Sequence, residues 1–282
     1  MIRPVDGSKW HLKPEKAQRW NIIALNADSR RMTKVAWVTG AGKGLGQQVS
    51  LQLAAGGWCV VVTSRTADDL QALAADAQHL AGSIHPFPAD IIDRDGIDCL
   101  VATIEDQIGP LDLAILNAGT YLRFGLEDFS AERFAHQMAI NVNGTVNCLS
   151  PVLKRMKNRR QGQIAVVSSL SAHRGLPMAS AYGASKAALT NMCEALKPEC
   201  DVHGVGLSVV HPGFVRTPLT DQNEFPMPFL MSADDAARRL INGLNERKFD
   251  ISFPTRFALL MRGLRCLPDA VYFWLTRRMV QK

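Results

Sequence analysis

The 282 residues are 47% hydrophobic and 21% charged, an ordinary composition for a globular protein with enough chain to bury a sizeable core. The formal net charge of +6 is concentrated at the ends, because residues 1–31 and 256–282 are both basic and the body between them is mildly acidic. Proteins that read nucleic acids usually carry a basic stripe on the folded body, so this distribution argues against nucleic-acid binding.

The six cysteines have no spacing typical of a metal site or a disulfide framework. None forms a C-x-x-C pair, and several lie in apolar runs; they are Cys59, Cys99, Cys148, Cys193, Cys200 and Cys266. We interpret them as structural thiols in a reducing compartment, which predicts a cytoplasmic protein without a bound metal. The sequence shows no secretory signal and no apolar run of about 18 residues, so we expect no membrane-spanning helix.

Apolar strand-like runs alternate with helical patterns along most of the chain. The strand-like runs are 35–39, 58–63, 84–88, 111–116, 164–168, 205–210 and 249–253, and the helical patterns are 45–55, 67–80, 95–108, 131–157, 181–200 and 233–245. This alternation predicts one Rossmann-type α/β domain over 32–254, with a doubly wound, mostly parallel seven-stranded sheet and helices on both faces. We expect residues 1–31 to be a loosely ordered basic extension and residues 255–282 to be a basic amphipathic tail.

A glycine-rich segment joins the first strand to the first helix. It reads Thr39-Gly40-Ala41-Gly42-Lys43-Gly44-Leu45-Gly46. Glycines at such a turn let the backbone approach a pyrophosphate, and the N-terminus of the next helix presents free N–H groups to it. A glycine-rich loop is also compatible with a plain turn, but its place between a first strand and a helix favours a dinucleotide site.

The end of the second strand indicates which dinucleotide is preferred. An acidic residue there would bind a ribose 2′-hydroxyl and favour NAD, whereas this chain has Ser64 and Arg65, with Lys43 in the glycine-rich segment. Two cations and a hydroxyl suit a 2′-phosphate, so we predict NADP(H). The alternative is that both cations are solvated surface charges.

Tyr182 and Lys186 are four residues apart in a helical pattern, so their side chains share one face of the helix. A cation beside a phenol lowers its pKa towards the range in which general acid–base catalysis works. An isolated Y-x-x-x-K pattern is common by chance, but Ser169 ends the preceding strand and Leu116-Asn117-Ala118-Gly119 ends the one before it. In an open α/β sheet, ligands gather at these carboxyl ends of strands. Asn141 lies in the long helical pattern 131–157, either as a hydrogen-bonded core amide or as a group that orders a water near Lys186.

Together these motifs resemble those of the short-chain dehydrogenase/reductase family from about Thr39 to Thr217. The family pattern T-G-x-x-x-G-x-G is matched by Thr39, Gly40, Gly44 and Gly46, with Leu45 between the last two; the N-A-G stretch by Asn117, Ala118 and Gly119; and the P-G-x-x-x-T element by Pro212, Gly213 and Thr217. The family often has two asparagines before Ala-Gly, whereas this chain has Leu116-Asn117. The resemblance implies that Asp90 and Ile91 bracket the adenine and that Val215 and Thr217 face the carboxamide.

The resemblance also implies the catalytic set Asn141, Ser169, Tyr182 and Lys186. Tyr182 would be the acid/base, and Lys186 would lower its pKa and hold the nicotinamide ribose. Ser169 would position the substrate oxygen, and Asn141 would support a water relay through Lys186. A catalytically silent NADPH sensor on the same fold is the alternative; such a protein would be expected to lose Tyr182 or Lys186, and both are present.

Substrate specificity is expected from 170–181 and from the segment after Thr217. Residues 218–231 are rich in Phe, Pro and Met, which favours a hydrophobic carbonyl or alcohol, although these residues would equally seal the domain surface. His173 and Arg174, at the border of this pocket, could meet an acidic group or be solvated, and we favour solvation. The tail 255–282 has an apolar face with basic flanks, which is compatible with peripheral membrane contact, packing over the domain or contact with a second subunit. The resemblance suggests a homodimer or a tetramer through 131–157 and 181–200; we favour the dimer because the tail obstructs one tetramer face.

Overall fold

The computed structural model describes residues 33–218, 220 and 227–280. Its seven strands are β1 (Val35–Thr39), β2 (Cys59–Thr63), β3 (Ser83–Pro86), β4 (Leu113–Leu116), β5 (Gln163–Val167), β6 (Gly206–Pro212) and β7 (Asp250–Phe253). All neighbouring strands pair in parallel, in the order β3-β2-β1-β4-β5-β6-β7. Every residue of β1 and β2 is buried, because helices cover both faces of the sheet.

The helices lie in two layers on the sheet. They are α1 (Gly44–Ala55), α2 (Ala67–Asp76), α3 (Arg94–Gln107), α4 (Ala131–Met138), α5 (Thr145–Arg159), α6 (Ser180–Val202), α7 (Ala233–Asn245), α8 (Thr255–Arg265) and α9 (Asp269–Val280). One apolar core packs α3, α5 and α6 on one face, and a second packs α1, α2 and α7 on the other. The predicted seven-stranded, doubly wound Rossmann-type fold is therefore confirmed.

Two departures from the predicted elements concern the site and the tail. The helix predicted over 131–157 is divided by a π-helical segment, Ala139–Gly144, between α4 and α5. Such wide turns are frequent at functional sites, and this one contains Asn141. After β7 the chain forms α8 and α9, and α8 buries Phe257, Ala258 and Met261 against Leu170 in a third apolar cluster.

The predicted basic extension 1–31 lies outside the described residues. Within the part of the chain that the structure describes, no helix is long and apolar enough to cross a membrane. No cluster of three or more His, Cys, Asp or Glu side chains suited to a metal ion occurs in those same ranges.

The direction of winding reverses between β1 and β4, since β2 and β3 lie on one side of β1 and the later strands lie on the other. In open α/β sheets, this reversal leaves a crevice outside the carboxyl ends of the two strands. Thr39 and Leu116 end β1 and β4, so the glycine-rich segment and Asn117 both begin at this crevice.

Candidate active site

A cleft of about 240 Å³ opens at the carboxyl ends of β1, β4, β5 and β6. Most of the residues predicted from the motifs line it: Gly40, Lys43, Gly44, Leu45, Asn117, Ala118, Gly119, Ser169, Tyr182, Lys186, Pro212, Gly213, Val215 and Thr217. The topology thus brings together side chains that lie up to 177 positions apart, between Gly40 and Thr217.

The glycine-rich turn is closed so tightly that side chains would not fit. A Cβ at Gly46 would lie 2.4 Å from the carbonyl oxygen of Gly40, and a Cβ at Gly44 would lie 2.8 Å from Cγ2 of Thr217. Gly44 also has a φ of +62°, a conformation that side-chain-bearing residues rarely adopt. The side chain of Lys43, which precedes α1, does not cap the helix, so it leaves the first N–H groups of α1 without a partner from that side chain.

Thr39 and Asn117 fasten this turn to β4. Oγ1 of Thr39 accepts hydrogen bonds from the backbone N–H of Asn117 at 3.0 Å and of Ala118 at 3.1 Å. The side-chain amide of Asn117 donates back to the carbonyl oxygens of Thr39 and Gly40, each at 3.1 Å. Thr39 itself is buried. Both side chains therefore hold the glycine-rich turn against the end of β4.

Tyr182 and Lys186 lie on the same face of α6 at the other end of the cleft. Nζ of Lys186 lies 5.7 Å from the ring centroid of Tyr182 and donates a 2.8 Å hydrogen bond to the carbonyl oxygen of Val167. The Tyr182 hydroxyl is hydrogen-bonded to the side chain of Ser169. Oγ of Ser169 in turn accepts from the N–H of Ser171 at 3.2 Å and from its hydroxyl at 3.0 Å, which fixes its orientation.

Burial dominates the protonation of this pair. Burial raises the pKa of Tyr182 to about 12. The hydrogen bond with Ser169 lowers this pKa, and Tyr121 makes a smaller contribution that raises it. Burial also lowers the pKa of Lys186 to about 8. The net shift of the Tyr182 pKa is upward because burial penalises the phenolate more than the Ser169 hydrogen bond favours it, and the lowering effect of Lys186 stays a prediction.

Asn141 is a buried, hydrogen-bonded amide, and its support of a water relay through Lys186 stays a prediction. Its Oδ1 accepts from the N–H of Thr120 at 2.8 Å, and its Nδ2 donates to the Thr120 carbonyl and to Oγ of Ser185, both at 3.0 Å. A Cβ at Gly119 would lie 3.2 Å from Oδ1 of Asn141 and 3.4 Å from Nζ of Lys186. The amide therefore holds the segment after β4 close against α6.

Six predicted cofactor residues lie outside the lining of the cleft: Thr39 and Gly46, which belong to the turn described above, and Ser64, Arg65, Asp90 and Ile91. Arg65 is exposed after β2, and Oγ of Ser64 donates to the carbonyl oxygen of Thr66 at 3.2 Å. Oδ1 of Asp90 accepts from the N–H of Ile92 at 3.0 Å. Ile91 is buried against the π-helical segment, with Cδ1 2.6 Å from the position of a Cβ on Gly144.

Sequence reasoning missed three residues of the site. Tyr121 packs edge-on against Tyr182 with ring centroids 4.9 Å apart, and Thr120 lines the cleft. Both follow Gly119 directly, so their place just beyond the carboxyl end of β4 was the available signal. Asp69, from the first turn of α2, pairs with Lys43 at 3.2 Å. Nothing in the local sequence pattern marked that partner.

The segments on either side of the cleft mouth meet at α8. The ring of Phe257 stacks on Phe214 and Phe229, with centroids 5.5 Å and 6.0 Å away. The interpretation of Arg174 as solvated is wrong, because its guanidinium donates to the carbonyls of Leu264, Arg265 and Leu267 and pairs with Asp269 at 2.6 Å. His173 is also packed, with its ring 4.9 Å from that of His211.

Comparison with known proteins agrees with this architecture. The profile of the family described as short chain dehydrogenase matches residues 34–226. An uncharacterized oxidoreductase of Myxococcus xanthus is 35% identical over 246 residues, 87% of this chain and 97% of that protein. A fatty acyl-CoA reductase of Acinetobacter baylyi is 33% identical over 242 residues, 84% of this chain and 80% of that protein. The crystal structure of a short chain dehydrogenase/reductase from Burkholderia phymatum in complex with NAD has the same fold, with a TM-score of 0.75 at 22% identity, covering 82% of this chain and 92% of that one.

Proposed function

Since the chain belongs to the short-chain dehydrogenase/reductase family of oxidoreductases, we propose that it transfers a hydride between NADPH and a carbonyl or secondary alcohol, with Tyr182 as the acid/base. The observation that carries the proposal is the placement of Tyr182, Ser169 and Lys186 at one end of a cleft whose other end is the glycine-rich turn. That turn fits a dinucleotide, because its glycines let the backbone close tightly beside the N-terminus of α1, where no side chain caps the helix. NADPH supplies the hydride when bound.

The protonation states support catalysis in the direction of reduction. With a pKa of about 12, the Tyr182 hydroxyl is protonated at neutral pH and is ready to donate to a carbonyl oxygen that Ser169 orients. The phenolate left behind is a stronger base than Lys186, whose pKa is about 8. Lys186 is therefore the group proposed to return a proton to the phenolate. Asn141 acts on this pair as a positioning residue, through Thr120 and Ser185.

Replacement of the phenol tests the assignment of Tyr182. Tyr182→Phe removes the proton donor and is expected to lower kcat by roughly 10²–10⁴-fold, while NADPH binding measured by fluorescence quenching stays near that of the wild type. Tyr272→Phe is the matched control, because this phenol belongs to α9 and does not line the cleft. Full activity in Tyr182→Phe would remove the basis for the mechanism.

The preference for NADPH rests on the charges beside the turn. Lys43 and the exposed Arg65, with the hydroxyl of Ser64, are the groups proposed to hold a 2′-phosphate. Asp69 opposes them, since its carboxylate already pairs with Lys43 at 3.2 Å. The proposal therefore includes a balance in which Asp69 limits the strength of the preference.

The ratio of kcat/KM for NADPH to that for NADH measures this balance. Lys43→Ala combined with Arg65→Ala is expected to lower the ratio by roughly tenfold or more, since charge-assisted contacts to phosphate are among the stronger hydrogen bonds. Asp69→Asn is expected to raise the ratio, and Lys154→Ala, an exposed cation on α5, is expected to leave it unchanged. A ratio that does not respond to the double substitution would refute the preference for NADPH.

A hydrophobic substrate is supported by the residues around the mouth of the cleft. Phe214 lies between the lining residues Gly213 and Val215, Met231 pairs with Val215, and Phe229 exposes 45% of its surface. Phe225 and Pro226 of the same segment lie outside the described residues. The relative from Acinetobacter baylyi is named for a fatty acyl substrate, which is consistent with an apolar chain near the carbonyl. Activity on a series of ketones of increasing chain length is expected to rise with length.

We also propose that the protein is a cytoplasmic homodimer that associates through α4–α5 and α6, with peripheral membrane contact through 255–282. Membership of the family supports an oligomer. The helices α5 and α6 of this protein, the longest in the described residues, would supply the contact. The mass in solution from light scattering distinguishes a dimer from a monomer or tetramer.

A further inference from the structure

Helices α8 and α9 carry an unusual amount of exposed apolar surface. Of the fourteen exposed large apolar side chains among the described residues, eight fall in 255–280: Leu259, Leu260, Val271, Phe273, Trp274, Leu275, Met279 and Val280. Leu259, Phe273 and Trp274 each expose more than half of their surface. Contiguous exposed apolar surface on a folded protein marks an interaction site.

The arrangement of α9 shows that this surface is not simply left over from packing. Only Tyr272 and Thr276 of α9 are buried, so the helix touches the protein along one narrow stripe. Apolar side chains project on both sides of that stripe, with Phe273 and Val280 on one side and Leu275 and Met279 on the other. A helix that is apolar around most of its circumference needs a cover.

The charge of the same segment indicates what covers it. Residues 255–280 contain five arginines and a single acid, Asp269, whose carboxylate pairs with Arg174. Arg256, Arg265, Arg277 and Arg278 are exposed, and the guanidinium of Arg278 lies 3.7 Å from the ring centroid of the exposed Trp274. Exposed aromatic and aliphatic side chains interleaved with arginines match a surface that is apolar below and anionic above, which is the boundary of an anionic lipid bilayer.

The basic apolar surface adjoins the mouth of the cleft. Phe229, from the segment that borders the mouth, stacks on Phe257 of α8, and Leu259 and Leu260 follow on the same helix. Arg174 and Gly175, from the segment between β5 and α6, bind the α8–α9 connection and the hydroxyl of Tyr272. A membrane in contact with α8 and α9 would therefore lie beside the entrance used by the substrate.

We propose that α8 and α9 dock the protein on an anionic lipid surface, from which an amphiphilic carbonyl substrate dissolved in that surface enters the cleft. The docking part of the proposal depends only on the exposed surface of α8 and α9. The delivery half rests on the proposed function, since it needs a reductase behind the mouth. Vesicle binding tests docking and ketone reduction tests delivery, so either part can be refuted without the other.

Sedimentation of the full-length protein with vesicles tests the docking half. The vesicles are phosphatidylcholine alone or with phosphatidylglycerol added. The wild type is expected to bind the phosphatidylglycerol vesicles and to be released by added salt, because screening weakens the arginine contacts. Arg277→Glu with Arg278→Glu, and separately Phe273→Ser with Trp274→Ser, are each expected to lower binding by roughly tenfold or more. Leu126→Ser and Arg239→Glu, at exposed positions elsewhere in the fold, are the controls and are expected to bind as the wild type does.

Activity measurements on the same proteins test the delivery half. A small water-soluble ketone is expected to be reduced at the same rate by the wild type and by both double variants, since none of the changed side chains lines the cleft. A long-chain ketone held in phosphatidylglycerol vesicles is expected to be reduced several-fold faster by the wild type than by either double variant.

Four results would overturn the proposal. Equal binding to both vesicle types would refute the role of anionic lipid, and no binding to either would refute docking. Loss of dimer mass in Phe273→Ser with Trp274→Ser, without a change in vesicle binding, would assign the surface to a second copy of the chain. Equal rates for wild type and variants on the vesicle-held ketone would remove the delivery step. Vesicle binding with no reductase activity on any ketone would support docking and refute the proposed function instead.

Discussion

At the scale of single residues, the site is governed by the cost of burying charge. Lys186 and Tyr182 share a helix face as their spacing predicts, yet the pKa of Tyr182 goes up and that of Lys186 goes down. Both shifts favour the neutral form of a buried group, which is the signature of desolvation. The tyrosine therefore gains the properties of a proton donor, and the lysine those of a proton source that empties near pH 8.

This balance predicts how stability depends on pH. The ordinary pKa of a lysine is 10.5, so between about pH 8 and 10.5 the unfolded chain binds more protons at Lys186 than the folded one does. The free energy of unfolding of the wild type is expected to rise across that window relative to Lys186→Met, which has no proton to lose. The full shift corresponds to on the order of 3 kcal/mol.

Urea unfolding of both proteins at several pH values from 7 to 9.5 measures this difference. The upper limit is set by Tyr182, because its raised pKa makes the folded state lose stability above pH 10. Lys197→Met is a suitable control, since the side chain of this lysine is 29% exposed and pairs with Asp201 at the surface. A difference between wild type and Lys186→Met that stays constant with pH would contradict the role of burial.

At the scale of elements, the glycine-rich turn depends on close approach of two backbones. A Cβ on Gly46 would lie 2.4 Å from the carbonyl oxygen of Gly40 and 2.6 Å from Nδ2 of Asn117. Neither neighbour is free to move, because Asn117 holds both the Thr39 and the Gly40 carbonyls. The turn and the end of β4 therefore form one rigid unit under the proposed pyrophosphate site.

Gly46→Ala is expected to open this unit. Overpacking of this kind costs typically about 1–3 kcal/mol, and displacement of the turn should weaken dinucleotide binding at least tenfold. Gly263→Ala is the matched control, because a Cβ at Gly263 in α8 meets no atom within 4 Å and alanine favours a helix by up to about 1 kcal/mol. Thermal unfolding and cofactor titration of both variants check the pair. Unchanged cofactor affinity in Gly46→Ala would contradict the close approach.

At the scale of the whole molecule, α8 is part of the folded body rather than a detached tail. It buries Phe257, Ala258 and Met261 against Leu170, and a Cβ at Gly213 would lie 2.8 Å from Cδ1 of Phe257. Gly213 lines the cleft, so α8 supports the floor of the site from outside the family profile, which ends at residue 226. In contrast, α9 is held mainly by Tyr272 and the contacts of Arg174.

Two truncations are expected to separate these roles. A chain that ends after Cys266 lacks α9 and should retain activity on a small soluble ketone. A chain that ends after Pro254 also lacks α8, and loss of the burial of Phe257 and Met261 should reduce the free energy of unfolding by roughly 3–6 kcal/mol. Urea unfolding and ketone reduction measure the two effects. Equal stability of the two truncated chains would show that α8 does not support the site.

The sequence by itself determined the order of the elements, the doubly wound class of the fold, and most of the residues that line the cleft. Strand and helix periodicity are local, and the glycine, Asn-Ala-Gly and Tyr-x-x-x-Lys motifs each lie within a few residues at the end of an element. Only the tertiary structure decided the partners: Asp69 on Lys43, Tyr121 on Tyr182, Arg174 on the end of α8, and Thr120 and Ser185 on Asn141. It also decided the burial that raises the pKa of Tyr182. The physical reason is that desolvation and pairing depend on atoms brought in from distant parts of the chain, and no local pattern records their distance or the water they exclude.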